Sequence, residues 1–194
     1  MAESALTVGV LALQGDFEKH LRAFAALHVP AREVRTASDL DGLARLVIPG
    51  GESTTMTLLL VPELRAAIVN FCRLHPVWGT CAGMIMLAKD SADPRVKPLG
   101  LMNLDLERNG YGRQVHSFEA DLRAEAEIGR PEKLLRGIFI RAPRLKSLGA
   151  GVRPLVWLGN DAVAVRQGHF LASAFHPELT ADLRLQRYFL AMSP

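Results

Sequence analysis

Apolar and polar positions in the first half of the chain follow two alternating rhythms. Short apolar runs at residues 6–13, 31–34 and 43–48 have the length and composition of strands, and the segments 16–27, 54–60 and 63–74 have helical spacing. In the last of these, Leu64, Ile68, Phe71 and Cys72 recur at i, i+4, i+7 and i+8, the buried stripe of an amphipathic helix. A further apolar strand leads to a glycine-flanked cysteine and a helix reaching about residue 89. Strands alternating with helices in this order predict an α/β architecture of three layers: a mostly parallel sheet with helices on both faces. The chemistry then gathers at the C-terminal ends of the strands. From Asp105 onward the pattern turns strand-rich, with strands expected at 118–124, 137–140, 155–158, 162–166 and 170–175 and a closing helix from 181 to about 192. Gly149-Ala-Gly151 and Gly159-Asn-Asp161 read as turns. With no internal repeat, low-complexity tract or linker, one domain over residues 1–194 is expected, long enough to bury about 70% of its unfolded surface.

The run Pro76-Val-Trp-Gly-Thr-Cys-Ala-Gly83 places Cys81 where the strand gives way to the helix, between Gly79 and Gly83. That is a nucleophile elbow in G-x-C-x-G form: small neighbours permit the sharp turn, and the sulfur sits at a helix N-terminus, where N–H groups favour a thiolate. A small buried residue in a glycine-rich turn is the plain alternative. The C-terminal string Phe175-His-Pro-Glu-Leu-Thr180 bears on the choice. Pro177 forbids helical continuation, and if the chain stays extended through it, the period of two sets His176 and Glu178 on one side. A Cys81-His176-Glu178 triad would result, against the alternative of a strand end and helix start with acids complementing the helix dipole.

A third element, Arg45-Leu-Val-Ile-Pro-Gly-Gly-Glu-Ser-Thr-Thr55, is a short strand opening into a glycine turn and a Ser/Thr-rich helix start. Exposed N–H groups there suit a phosphate or an oxyanion. The phosphate-loop pattern requires a lysine, and none lies between residues 45 and 60, so an oxyanion is preferred. An ordinary turn with Ser53 or Thr54 as N-cap is compatible with that reading.

These segments resemble the class I (triad) glutamine amidotransferases, and among them the glutaminase subunits of pyridoxal 5′-phosphate synthase. The likeness runs in order through Gly9-Val-Leu-Ala-Leu-Gln-Gly15, Pro49-Gly-Gly-Glu-Ser-Thr-Thr-Met56, Gly79-Thr-Cys-Ala-Gly83, Glu107-Arg-Asn109 with Gly112-Arg-Gln-Val115, Ser117-Phe-Glu-Ala-Asp121, Phe139-Ile-Arg-Ala-Pro143 and Phe175-His-Pro-Glu-Leu-Thr180. The resemblance implies the flavodoxin-like fold of that class, with Cys81 as nucleophile, His176 as general base and acid, and Glu178 as its orienting carboxylate. It further implies glutamine binding by Gly51, Glu52, Ser53, Arg108, Ile140 and Arg141. The oxyanion would be held by the Gly50-Gly51 turn and the Ala82 N–H. A barrel-shaped pyridoxal 5′-phosphate synthase subunit is the implied partner, receiving ammonia, and no cofactor is implied for this chain. Arginine suits the glutamine carboxylate, although a single arginine is more often a solvated surface residue. His116 stands where that family tends to have an acid, and no role is assigned to it.

Composition narrows the alternatives. The chain is 49% hydrophobic with a net charge of +3, and its basic residues are scattered, densest from 136 to 153, so nucleic-acid binding has weak support. Two cysteines argue against a disulfide framework and for a reducing, cytoplasmic setting, with Cys72 inert. His20, His28, His75, His116, His169 and His176 form no short-spaced metal pattern. The N-terminal apolar run is too short for a membrane span and lacks the basic start of a signal peptide. Rival functions are a triad amidotransferase serving another synthase, a cysteine hydrolase of a different amide, or a silent module that binds glutamine and a partner. Preference for glutamine over asparagine, and turnover with a partner present, separate them.

Overall fold

The computed structural model describes residues 6–91, 93–107, 110–111 and 117–193. Arg108, Asn109 and the segment 112–116 with His116 lie outside the described residues. The first half follows the expected alternation: β1 (Val8–Leu11), α1 (Phe17–Ala25), β2 (Ala31–Val34), β3 (Arg45–Ile48), α2 (Ser53–Leu59), α3 (Pro62–Phe71), β4 (Val77–Thr80) and α4 (Ala82–Leu87). The second half adds β5 (Leu104–Glu107), β6 (Ser117–Ala124), β7 (Leu135–Ile140), β8 (Arg144–Leu148), β9 (Arg153–Leu158), β10 (Asp161–Gln167), β11 (Phe170–Ser173) and α5 (Arg184–Ala191).

Among the described residues one nine-stranded sheet runs β2-β1-β3-β4-β11-β10-β9-β6-β7. Its first five strands are parallel and ordered 2-1-3-4 with β11 as the fifth, the flavodoxin-like order. Every residue of β1, β3 and β4 is buried, so both faces of these strands are covered. The remaining pairings, from β11 to β7, are antiparallel. There β6 returns to alternating burial at its inner end. On one face, Phe24 of α1 and Trp78 of β4 both pack against Phe189 of α5. The chain-reversing order places a switch point between β1 and β3, and the Gln14-Gly15 and Gly50-Gly51 turns lie at the C-terminal ends of those strands.

Leu64, Ile68, Phe71 and Cys72 are buried as their spacing predicts. Three details differ from the pattern. The last strand ends at Ser173 rather than 175, because His176 leaves the sheet and its N–H donates to the Ile138 carbonyl. The closing helix starts at Arg184, preceded by a 3₁₀ turn over Pro177–Leu179. Strand β8 pairs with β5 in a separate ladder and is mostly exposed, so its basic sequence carries no apolar alternation to reveal it.

The buried end of β3 is also tied to α5. Arg45 donates from Nε to the Phe189 carbonyl at 3.1 Å and from its terminal nitrogen to those of Leu190 and Met192 at 2.7 and 2.6 Å. These acceptors lie at the C-terminal end of the helix, where carbonyls run out of internal donors, although that of Phe189 also accepts from the Met192 N–H at 3.2 Å. The price is a buried guanidinium, whose pKa is lowered by desolvation.

Candidate active site

Cys81 occupies the N-cap of α4 with φ 49° and ψ −106°, a left-handed conformation that costs a side-chain-bearing residue about 1–3 kcal/mol. Its flanking glycines serve space rather than φ. A Cβ on Gly79 would stand 2.4 Å from the Gly83 carbonyl oxygen, and one on Gly83 would stand 1.9 Å from that of Ile48. The elbow therefore presses the first turn of α4 onto β3 and β4, and the strain falls on the cysteine itself. The Cys81 N–H donates to the Ser173 carbonyl at 2.7 Å, which fixes the elbow to β11.

That attachment brings in the histidine. His176 Nδ1 is 2.7 Å from Glu178 Oε1, and the ring shares the cleft with Cys81, close enough for the sulfur to act on its titration. With Nδ1 engaged by the carboxylate, Nε2 is the nitrogen left for the sulfur. The pairing arises differently from the expected extended strand: Pro177–Leu179 is a 3₁₀ turn, which folds Glu178 back toward the preceding histidine. Burial disfavours the His176 imidazolium, but its hydrogen bonds to Cys81 and Glu178, and the negative charge on both, outweigh this and push it up to about 10. Burial would raise Glu178 in turn; the facing His20, with the hydrogen bond and charge of His176, holds it below the usual carboxylate range.

A cleft of about 250 Å³ opens over these groups, bordered by Gly51, Glu52, Ser53, Ala82, Ile140 and Arg141 as well as Cys81 and His176. Ala82 is the first residue of α4, so its N–H has no intrahelical acceptor. Gly50 lets the turn close over the triad, since a Cβ there would lie 2.4 Å from His176 Cε1. Gly51 has φ 138°, and its missing Cβ would meet the Gln14 side-chain amide, whose Oε1 accepts from the Glu52 N–H at 2.8 Å.

The N-cap of α2 is Glu52, not Ser53 or Thr54. Its carboxylate accepts from the N–H groups of Thr54 and Thr55 and from both hydroxyls. Burial opposes its charge, but these donors win and lower it to about 2. Ser53 is buried behind it, and its Oγ has no hydrogen-bond partner among the described residues. At the far wall, the Ile140 carbonyl is 3.7 Å from Cys81 Sγ, and Arg141 follows at φ 46°. The Arg141 guanidinium makes no ion pair or hydrogen bond among the described residues, unlike Arg136 and Arg144 near it in the chain. Arg108 cannot be placed in this constellation, since it lies outside the described residues. Cys72 is remote from it: burial alone pushes that thiol up to about 12.

One neighbour has no sequence signal. His20, on the buried face of α1, sits behind Glu178, with Nε2 3.5 Å from Oε2. A lone histidine in an amphipathic helix carries no spacing that would point to it. Among the described residues no group of three or more His, Cys, Asp or Glu side chains is arranged to hold a metal.

Residues 10–193 match the SNO glutamine amidotransferase family. The chain belongs to that family. A pyridoxal 5′-phosphate synthase subunit PdxT from Desulforamulus reducens is 48% identical over 191 residues, covering 96% of this chain and 99% of the relative. A protein of the same name from Pelotomaculum thermopropionicum is 49% identical over 187 residues, covering 95% and 94%. A crystal structure described as a glutamine amidotransferase superposes with a TM-score of 0.87 at 47% identity, over 94% of this chain and 96% of the other. Membership in the SNO family thus extends across both the parallel half that carries the elbow and the antiparallel half that carries Ile140 and Arg141.

Proposed function

We propose that the protein hydrolyses L-glutamine to L-glutamate and ammonia through a thioester on Cys81, and passes the ammonia to a pyridoxal 5′-phosphate synthase barrel subunit for vitamin B6 synthesis. The observation that carries the chemistry is the hydrogen-bonded pair His176 and Glu178 set beside Cys81 in one cleft, together with Arg141, which is unpaired among the described residues. The partner follows from the relatives named as pyridoxal 5′-phosphate synthase subunits.

The Cys81 sulfur adds to the carboxamide carbon, forming a C–S bond, and the carbonyl oxygen becomes an oxyanion received by the Ala82 N–H and the Gly50-Gly51 turn. His176 gives a proton to the amide nitrogen, the C–N bond breaks and ammonia leaves. Water then attacks the thioester, losing its proton to His176. Its oxygen joins the acyl carbon, the C–S bond breaks, and the proton returns to the sulfur. Glu178 holds the imidazole through Nδ1 and stabilises its charged form throughout.

Arg141 and Arg108 are the groups for the substrate carboxylate, with Ile140 walling the side chain. Gly51 and Ser53 line the turn beneath it. Glu52 contributes through its place in that turn, because its carboxylate is engaged by the two threonines. The chain acts as one domain in the cytoplasm; both cysteines are free, and among the described residues no helix is long and apolar enough to cross a membrane.

The test is glutamate and ammonia release from glutamine and from asparagine, with and without the barrel subunit, followed by coenzyme formation from glutamine. Turnover of glutamine alone, coupled to coenzyme formation, is expected. Equal turnover of asparagine, or no glutaminase activity in the complex, overturns the reading.

A further inference from the structure

The buried face of α1 carries Ala23, Phe24 and, at the helix's fourth position, a histidine. His20 is fully buried, and an aliphatic side chain would fill such a site without desolvating two ring nitrogens. Its ring stands edge-on to Trp78, centroids 5.9 Å apart at 80°. Nε2 points between two oxygens, the hydroxyl Oγ1 of Thr80 at 3.2 Å and the carboxylate Oε2 of Glu178 at 3.5 Å, whereas Nδ1 has no partner among the described residues. The carboxylate is thus flanked by two imidazoles, His176 on Oε1 and His20 on Oε2.

The hydrogens on this network follow from its acceptors. Burial lowers His20 below its ordinary pKa, with the nearby Glu178 and Asp16 opposing and His176 reinforcing the shift. A neutral ring has one N–H, and a carboxylate oxygen can only accept. The hydrogen therefore belongs on Nε2, and the unpartnered Nδ1 is left as a bare acceptor. The hydrogen bond of Nε2–H goes to Thr80 Oγ1; Oε2, at 3.5 Å, faces the polarised N–H edge of the ring in a charge–dipole contact longer than an ordinary hydrogen bond. Oε2 has no hydrogen-bond partner among the described residues, so the His20 ring edge is the polar contact it has there.

We propose that His20 is a positioning residue for the reaction: its Nε2–H edge, fixed by the hydrogen bond to Thr80, the residue before the nucleophile, faces the outer oxygen of Glu178 and holds it by charge–dipole attraction, keeping Oε1 on His176. This rests on the triad proposed above and adds a fourth member that neither gains nor loses a proton in the cycle. With the Nε2–H removed, Glu178 is free to turn about its terminal torsion. The His176 imidazolium then loses part of its counter-charge, and its titration moves down. The ionisable groups facing the pair are those already named: His176 and Glu178 from the 3₁₀ turn, Asp16 from the start of α1, and Cys81 beyond His176.

The test compares His20→Phe, which keeps an aromatic edge against Trp78, with His20→Gln, which keeps an N–H donor. Turnover is measured in the synthase complex, and ¹⁵N NMR follows the histidines of the free subunit. For His20→Phe, kcat falls about tenfold with KM nearly unchanged, and the His176 midpoint drops by roughly one pH unit; His20→Gln restores most of both. A folded His20→Phe protein with wild-type kcat and an unmoved His176 midpoint overturns the proposal. The wild-type spectrum decides independently of any variant: His20 should show the neutral Nε2–H tautomer from pH 6 to 9, and a protonated ring or Nδ1–H tautomer overturns it. Failure of the triad itself is distinct, since it would appear as turnover surviving in Cys81→Ala.

Discussion

A methyl group on Gly83 would stand 1.9 Å from the carbonyl oxygen of Ile48, so the first turn of α4 rests directly on the end of β3. The obstacle is backbone and cannot swing aside as a flexible side chain would. Gly83→Ala should therefore cost about 3 kcal/mol or more, at the upper end of overpacking penalties, and displace Cys81. Urea unfolding of the purified variant measures this. A loss below 1 kcal/mol would show that the elbow can yield.

The two cysteines should differ sharply. Cys81→Ala is expected to abolish glutamine hydrolysis, and Cys72→Ala to leave it nearly intact, since Cys72 is a buried helix residue whose thiol is pushed up to about 12. A glutamine-analogue electrophile followed by peptide mass mapping should label Cys81 alone. Labelling of Cys72 in the folded protein would remove Cys81 from the role of nucleophile.

His176 and Glu178 should rank in that order. His176→Asn removes the group to which the proposed mechanism gives both proton transfers, for an expected loss of about 10²–10⁴ in kcat; Glu178→Gln keeps the ring and should hurt less. The same pair gives a pH signature. His176 is raised to about 10 in the folded protein from 6.5, so its contribution to stability is full below pH 6.5 and lost as pH rises through about 10. The stability gap between wild type and His176→Asn should therefore narrow between pH 6.5 and 10, as read by urea unfolding at fixed ionic strength. A gap that widens over that range contradicts the assigned shift.

Much of this site was legible because its chemistry needs particular small residues at fixed spacing. The glycines around Cys81 mark a steric need, and His-Pro-Glu marks the pairing, although through a 3₁₀ turn rather than the extended chain expected. Helix α3 was legible because its stripe is apolar throughout. Other features leave no periodic trace. Strand β8 is exposed and basic, and the capping role of Glu52 depends on two threonine hydroxyls folding back onto it. His20 reaches Glu178 from a helix 158 positions earlier in the chain (178 − 20), and only the packing of α1 on the sheet brings them together.

Arg45 offers a test of the scaffold away from the chemistry. Replacing it by Met keeps the aliphatic stem but leaves the carbonyls of Leu190 and Met192 without their buried donor, and that of Phe189 with the Met192 N–H alone. About 2–4 kcal/mol should be lost, the cost of orphaning buried acceptors less the relief of a desolvated charge. Thermal unfolding followed by near-UV circular dichroism reads this directly, with the Trp78–Phe189 contact as reporter. An unchanged midpoint would mean that water replaces the guanidinium at no cost.

Partner docking should switch the site on. Free hydrolysis would waste glutamine, and the moving part best placed for control is the Gly50-Gly51 peptide. Gly51 has φ 138°, a conformation that strains other residues, and a Cβ there would lie 2.1 Å from Gln14 Oε1. One missing oxyanion donor is worth about 10²–10³ in rate, enough for a switch. Glutaminase activity at saturating glutamine should therefore rise by about that factor as the barrel subunit is titrated in. Gly51→Ala should bind the partner yet gain little, because the added methyl group obstructs the turn in at least one of its orientations. A flat titration, with full activity in the isolated chain, would exclude gating while leaving the triad intact. Full stimulation of Gly51→Ala would instead move the switch elsewhere in the cleft.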